Sequence, residues 1–186
     1  MINTQKISWM NPLQIAILSL LITLLFSGCS YNRMATKMVS PAFDPFIESL
    51  FAEPDLELAK GAFEADIKMI EGLRLMHDTP ELRLKNAMAL FGYSFIYCDG
   101  IDNERAGKLY LRAKKIAMAE FDIDPFELKE DEFNIWLSEL DKNDLPALFW
   151  TAFSYGSWMK INLASNEAAF KLPRVEAMVR QCLGFD

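Results

Sequence analysis

Few residues in this chain are equipped for chemistry. His77 is the only histidine among 186 residues. It stands beside Asp78 at an expected helix end, where a cation suits the helix dipole. A zinc site needs three or four nitrogen, thiolate or carboxylate ligands. One histidine with thiols at Cys29, Cys98 and Cys182 provides no such spacing, so no metal is expected. Asp122-Ile-Asp124 begins like a calcium loop, but Phe126, Glu127 and Phe133 occupy the places of an oxygen ligand, the turn glycine and the closing glutamate. Glu130-Asp131-Glu132 offers adjacent carboxylates that read as a solvated helix face. There is no glycine-rich phosphate loop and no favoured Ser/His/Asp arrangement. Neither a cofactor nor an enzyme activity is expected.

The aromatic residues are the remaining candidates. Tyr93, Tyr97, Trp150, Tyr155 and Trp158 combine apolar bodies with polar tips, which suits the lining of a ligand channel. Packing in the core is the alternative for each. Three of them fall in one stretch, Leu145 to Ile161, which carries no charge between Ala147 and Met159. Pro146 can open a helix there, since its missing N–H would be unpaired in the first turn. A helix apolar on nearly every face must be wrapped by others. The uncharged run is also too short to cross a bilayer, which takes about 20 residues. The stretch is therefore expected to be the central buried helix of an all-helical protein.

The elements around it read as helices in series. Asp44-Pro45 looks like a cap and first-turn proline opening a short helix through Phe51. Asp55 can cap a second helix to about Met76, with Leu58, Ala62, Ala65, Met69 and Leu73 on its apolar face. Thr79-Pro80 starts a third, Leu82 to Cys98, which Asp99-Gly100 ends. Asp102 opens a fourth to about Phe121, with Leu109, Tyr110, Ala113, Ile116 and Ala117 on one side. Leu128 to Leu140 forms a shorter acidic helix around Phe133, Trp136 and Leu137. After the central helix, Ser165 caps a short helix broken at Pro173, and Arg174 to Leu183 is the last. Gly61, Gly72, Gly92, Gly107 and Gly156 are expected at packing positions. No segment alternates apolar and polar residues at the period of a strand.

The N-terminus carries an address. Lys6 precedes an apolar run from Leu13 to Phe26, the length of a secretory h-region. Ser27-Gly28-Cys29 then resembles the bacterial lipobox, with Phe26 where leucine is usual. That resemblance implies a signal peptide over residues 1–28 and lipid on Cys29, which would hold the protein on a membrane. Ser30 after the cysteine favours the outer membrane. Residues 29–43 read as a tether and residues 44–186 as the folded domain. Acidic residues outnumber Lys and Arg by 26 to 19, and they concentrate between Asp122 and Asp144. Such a surface argues against nucleic acid. Cys98 and Cys182 define no disulfide framework and are left unpaired.

Successive helix pairs invite comparison with the tetratricopeptide repeat. With Ala106 as the small residue of the second helix, Tyr110 and Ala113 follow four and seven places on, and Tyr97, Ser94 and Leu90 precede in order. A second unit starting at Trp150, with Phe153 and Ser154, loses register after Asn162. The expected fold is an all-α, tetratricopeptide-like array of antiparallel hairpins around the aromatic helix. Generic helical hairpins fit nearly as well.

Phe149-Trp150-Thr151-Ala152 with Tyr155-Gly156-Ser157-Trp158 is similar to the aromatic core motif of the T component (TatT) of TRAP transporters. Asp44-Pro45, the Leu82–Tyr97 helix, Gly107-Lys-Leu-Tyr-Leu-Arg-Ala113 and Leu172-Pro-Arg-Val-Glu-Ala177 resemble that family's other segments in the same order. Phe149 and Tyr155 stand where Tyr and Trp are expected. The resemblance implies a periplasm-facing lipoprotein that associates with the TRAP solute-binding protein (the P component). It also implies trimeric assembly, a channel for a small hydrophobic or organic-acid solute, and further helices beyond Asp186. A structural lipoprotein scaffolding an envelope complex is the competing reading.

Overall fold

A computed structural model describes residues 38–185, together with Asn11, Ile17, Met34 and Thr36. Cys29 and, apart from Ile17, the apolar run at 13–26 lie outside the described residues. The chain divides into two compact units, Met1–Phe43 and Asp44–Asp186. In the first unit, Met34, Thr36, Met38 and Val39 have helical backbone and Ser40–Ala42 forms a 3-10 turn. These positions fall in the stretch, residues 29–43, that was expected to be a tether.

Seven α-helices follow, and there is no strand among the described residues. They are α1 Phe43–Ala52, α2 Leu56–Met76, α3 Pro80–Tyr97, α4 Asn103–Met118, α5 Glu130–Glu139, α6 Leu145–Ile161 and α7 Asn166–Leu183. Sequence neighbours pack as antiparallel pairs. In the second unit α2 lies on α3, α3 on α4, α4 on α6 and α6 on α7, while α3 also touches α6. The all-helical, hairpin-by-hairpin architecture is as expected.

Local chemistry sets the helix starts. The Asp55 carboxylate accepts from the N–H groups of Glu57 (3.0 Å) and Leu58 (3.2 Å). Thr79 Oγ1 accepts from Leu82 N–H at 3.3 Å, with Pro80 in the first turn. Asp102 accepts from Arg105 N–H at 3.0 Å. Each cap satisfies backbone donors that the first turn leaves open, contributing about 1 kcal/mol. After α3 the chain reverses at Gly100, whose φ of 80° lies in the left-handed region that only glycine enters without strain.

Four expectations are corrected. Asp44 lies inside α1 rather than at its cap, because the helix runs on directly from the Ser40–Ala42 turn. The buried face of α2 is Ala59, Phe63, Asp66, Ile67 and Ile70, whereas Leu58 and Met69 are exposed. Two apolar stripes compete on this helix, and the one with the larger side chains faces α3. The α7 helix continues through Pro173. A mid-helix proline removes one backbone hydrogen bond and costs about 3 kcal/mol. Here Lys171 and Arg174 tie both sides of it to backbone carbonyls of Pro125, Phe126 and Leu128, and Val175 and Met178 are buried beneath. Finally, a Cβ added at Gly61 or Gly72 would meet nothing, so neither is a packing position. By contrast, Gly92, Gly107 and Gly156 face Phe63, Trp158 and Val175 at 3.5 Å.

Of the repeat positions, Leu90, Ser94, Ala106, Tyr110 and Ala113 are buried, while Tyr97 is partly exposed. Ser94 Oγ donates to the Ala106 carbonyl at 3.1 Å. Tyr110 donates to the Asp99 carboxylate at 2.8 Å, and Lys160 of α6 reaches the same oxygen at 2.6 Å. Burial alone would raise the Asp99 carboxyl, but these two donors outweigh it and hold it below the usual range. A second core gathers Phe126, Phe133, Leu148, Ala152, Tyr155, Met159, Val175 and Met178. As expected, α6 is packed among other helices, with Leu148, Ala152, Tyr155 and Met159 buried. Phe149 and Phe153 nevertheless remain 37% and 46% exposed.

Candidate ligand-binding site

A cavity of about 230 Å³ opens between the first hairpin and α6. Its walls are Ile47 from α1, Phe63 and Asp66 from α2, Met88, Ala89, Phe91, Gly92, Phe95 and Ile96 from α3, and Trp150 from α6. Phe91 is the hub. Its ring centroid lies 5.5 Å from Trp150, 5.3 Å from Phe153 and 5.4 Å from Tyr110, and it stacks on Phe95 at 6.0 Å. The Phe63 ring packs against Gly92, 3.5 Å from where a Cβ would stand. These contacts fix the aromatic walls in offset and tilted arrangements that such rings prefer.

One wall group is polar. Asp66 is fully buried, and neither carboxylate oxygen has a hydrogen-bond partner. Burial raises its pKa from 3.8 to about 6, and the positive charge of Lys85 on α3 opposes that rise. An unsatisfied buried carboxylate is costly, and among the described residues it is the only titratable group lining this cavity.

The five aromatic residues expected to share a channel fall in three places. Trp150 alone lines the cavity. Tyr93 and Tyr97 meet each other at 5.4 Å near the end of α3. Tyr93 is buried, donates to Glu64, and carries the Arg105 guanidinium 5.3 Å over its ring. Burial and the Glu64 acceptor push its phenol up to about 12. It borders a charged groove with Glu64, Lys68, Arg105 and Arg112. Tyr155 and Trp158 stack at 5.5 Å in the second core. Tyr155 donates to Glu167 at 2.6 Å and has Lys114 Nζ 3.8 Å over its ring. Burial first, then the Glu167 acceptor, raise its pKa. Trp158 covers Gly107.

Asp66, Phe63 and Phe91 were not singled out in the sequence. The signal was present for Asp66, which lies three residues after Phe63 and four before Ile70, on the buried stripe of α2. A further apolar groove of about 490 Å³ runs between α6 and α7, bounded by Pro146, Phe149, Phe153, Val179, Cys182 and Leu183. Cys98 and Cys182 are both free thiols. Among the described residues no helix is long and apolar enough to cross a membrane.

No curated protein and no solved structure matches the chain. Residues 52–186 match the family model of the TRAP transporter T-component. This span takes in the α2–α3 hairpin, the tetratricopeptide-like α3–α4 pair and the aromatic helix α6. The chain therefore belongs to the T-component family of TRAP transporters.

Proposed function

We propose that this protein is an accessory lipoprotein of a TRAP-type solute transport system. In this reading residues 1–28 are a signal peptide, and Cys29 carries the lipid that holds the protein on the outer membrane facing the periplasm. Residues 44–186 form the working domain, which binds the solute-binding (P) component and receives a small, largely apolar solute. The match over residues 52–186 carries the proposal. The aromatic cavity beside Trp150 supports the ligand side of it, since concave apolar sites with few polar groups are the usual form of a small-molecule site. Of the five aromatics first considered, Trp150 lines this cavity and is the candidate to touch a solute there, while Tyr93 borders the separate charged groove.

The test is co-purification. Full-length protein extracted from its native envelope in detergent is expected to bring down a TRAP solute-binding protein. Its partner's absence from every such preparation, with unrelated envelope assembly proteins present instead, would overturn the reading in favour of a scaffolding lipoprotein. Labelling with palmitate is expected in the wild type and lost in Cys29→Ala.

A further inference from the structure

We propose that the cavity beside Trp150 binds a small molecule joining an apolar or aromatic body to an amine, with Asp66 as the counter-ion. The cavity walls are almost wholly hydrocarbon, so an apolar body gains burial there. At one wall, however, stands a carboxylate with no exposure and no hydrogen-bond partner. The Lys85 charge reaches it, but no group among the described residues donates a hydrogen bond to it, so a donor carried into the cavity that Asp66 lines would supply one. An ammonium does this best, because charge-assisted hydrogen bonds to a carboxylate are the strong ones. The ring faces of Phe63, Phe91 and Trp150 add attraction for a cation.

The same geometry disfavours an organic acid in this cavity. A ligand carboxylate would face Asp66 with like charge in a medium that screens poorly. The Asp66 carboxyl, raised by burial, could relieve that conflict only by taking up a proton. Lys85 on α3 is the charged group whose field reaches Asp66, and it also pairs with Glu81 at 3.5 Å. Of the two solute classes implied by the family resemblance, the cavity therefore keeps the hydrophobic one and adds a positive charge to it. The inference rests on the transport reading for the ligand's biological meaning, not for its binding.

The experiment is titration calorimetry on the full-length protein in detergent at neutral pH. Three probes of similar shape differ in charge: phenethylamine, phenylpropionate and propylbenzene. The wild type is expected to bind the amine at least about tenfold more tightly than the acid. Asp66→Asn is expected to weaken the amine about tenfold while leaving propylbenzene unchanged. The charge series on the wild type needs no variant, so a folding defect in Asp66→Asn could not hide the answer. Equal or tighter binding of the acid overturns the proposal, as does failure of all three probes to bind. An unchanged amine affinity in a folded Asp66→Asn overturns it too. Capture of a solute-binding protein is a separate measurement, so the two readings fail independently.

Discussion

Asp66 and Lys114 are both ionisable groups drawn away from water, and their surroundings are built to opposite ends. Lys114 on α4 is half-buried, and its ammonium stands over two ring faces, 4.5 Å from the Phe126 centroid and 3.8 Å from that of Tyr155. Its pKa is lowered chiefly by burial, while the carboxylates of Asp124 and Glu167 pull the other way. Tyr155 closes the arrangement through its bond to Glu167. Asp66 has no comparable support: its buried oxygens accept nothing, although the residue lines a cavity. The first arrangement is finished packing. The second leaves a buried acceptor without a hydrogen-bond partner at a cavity wall, which is the feature that the proposed amine ligand would use. Aromatic density alone does not distinguish them, since both regions are rich in rings.

That contrast can be broken most directly by truncating one aromatic from each side. Tyr155→Ala removes a fully buried ring and orphans Lys114, and is expected to cost about 3–5 kcal/mol in urea denaturation. Trp150→Ala removes a half-buried ring beside an existing cavity, and about 1–2 kcal/mol is expected. Equal costs would mean that the cavity is as tightly packed as the second core.

The Asp66 carboxyl gives a pH signature of the next size. Its folded pKa of about 6 exceeds the ordinary 3.8, so between those values the native state holds more protons than the unfolded chain. Stability should therefore fall as pH rises through this window, by roughly 2–3 kcal/mol at full effect. In Asp66→Asn that decline should vanish, leaving the variant more stable than wild type at neutral pH. Thermal melts across the window in both proteins decide it, and identical pH profiles would show that Asp66 is satisfied after all.

The smallest expected effect concerns the outer surface of the first hairpin. Gly72→Ala and Gly61→Ala place a methyl in open space on α2. Each should stabilise by about 0.5–1 kcal/mol through helix propensity. A loss of stability in either would indicate a neighbour on that face.

Features fixed by short-range chemistry were legible in the sequence. Asp55, Thr79 and Asp102 were expected caps and are caps, because a carboxylate or hydroxyl at that position needs only its own first turn. Asp99-Gly100 was expected to end α3, and Gly100 does so at positive φ. Features decided between helices were less legible. Two stripes of α2 are apolar, and only the presence of α3 selects the one bearing Phe63, Ile67 and Ile70. Pro173 should stop a helix by itself, and only the tie of its neighbours to the 125–128 turn carries α7 through. The aromatic run of α6 announced burial, but could not show that Phe149 and Phe153 stay exposed. For the candidate cavity, Trp150 was singled out from its chemistry and does line it, whereas Asp66 reads in sequence as one more surface carboxylate.

The hydrogen-bonded Asp99 has a consequence for how the molecule comes apart. In stacked helical arrays each unit is held chiefly by its neighbour, and the units can melt in sequence from the ends. Asp99 follows α3, receives Tyr110 from α4 and Lys160 from α6, and so belongs to both halves of the array at once. Opening the seam between them strips one carboxylate of two donors together. The unfolding of the two halves is thereby coupled, and the array melts as a cooperative body rather than as a row of separable hairpins.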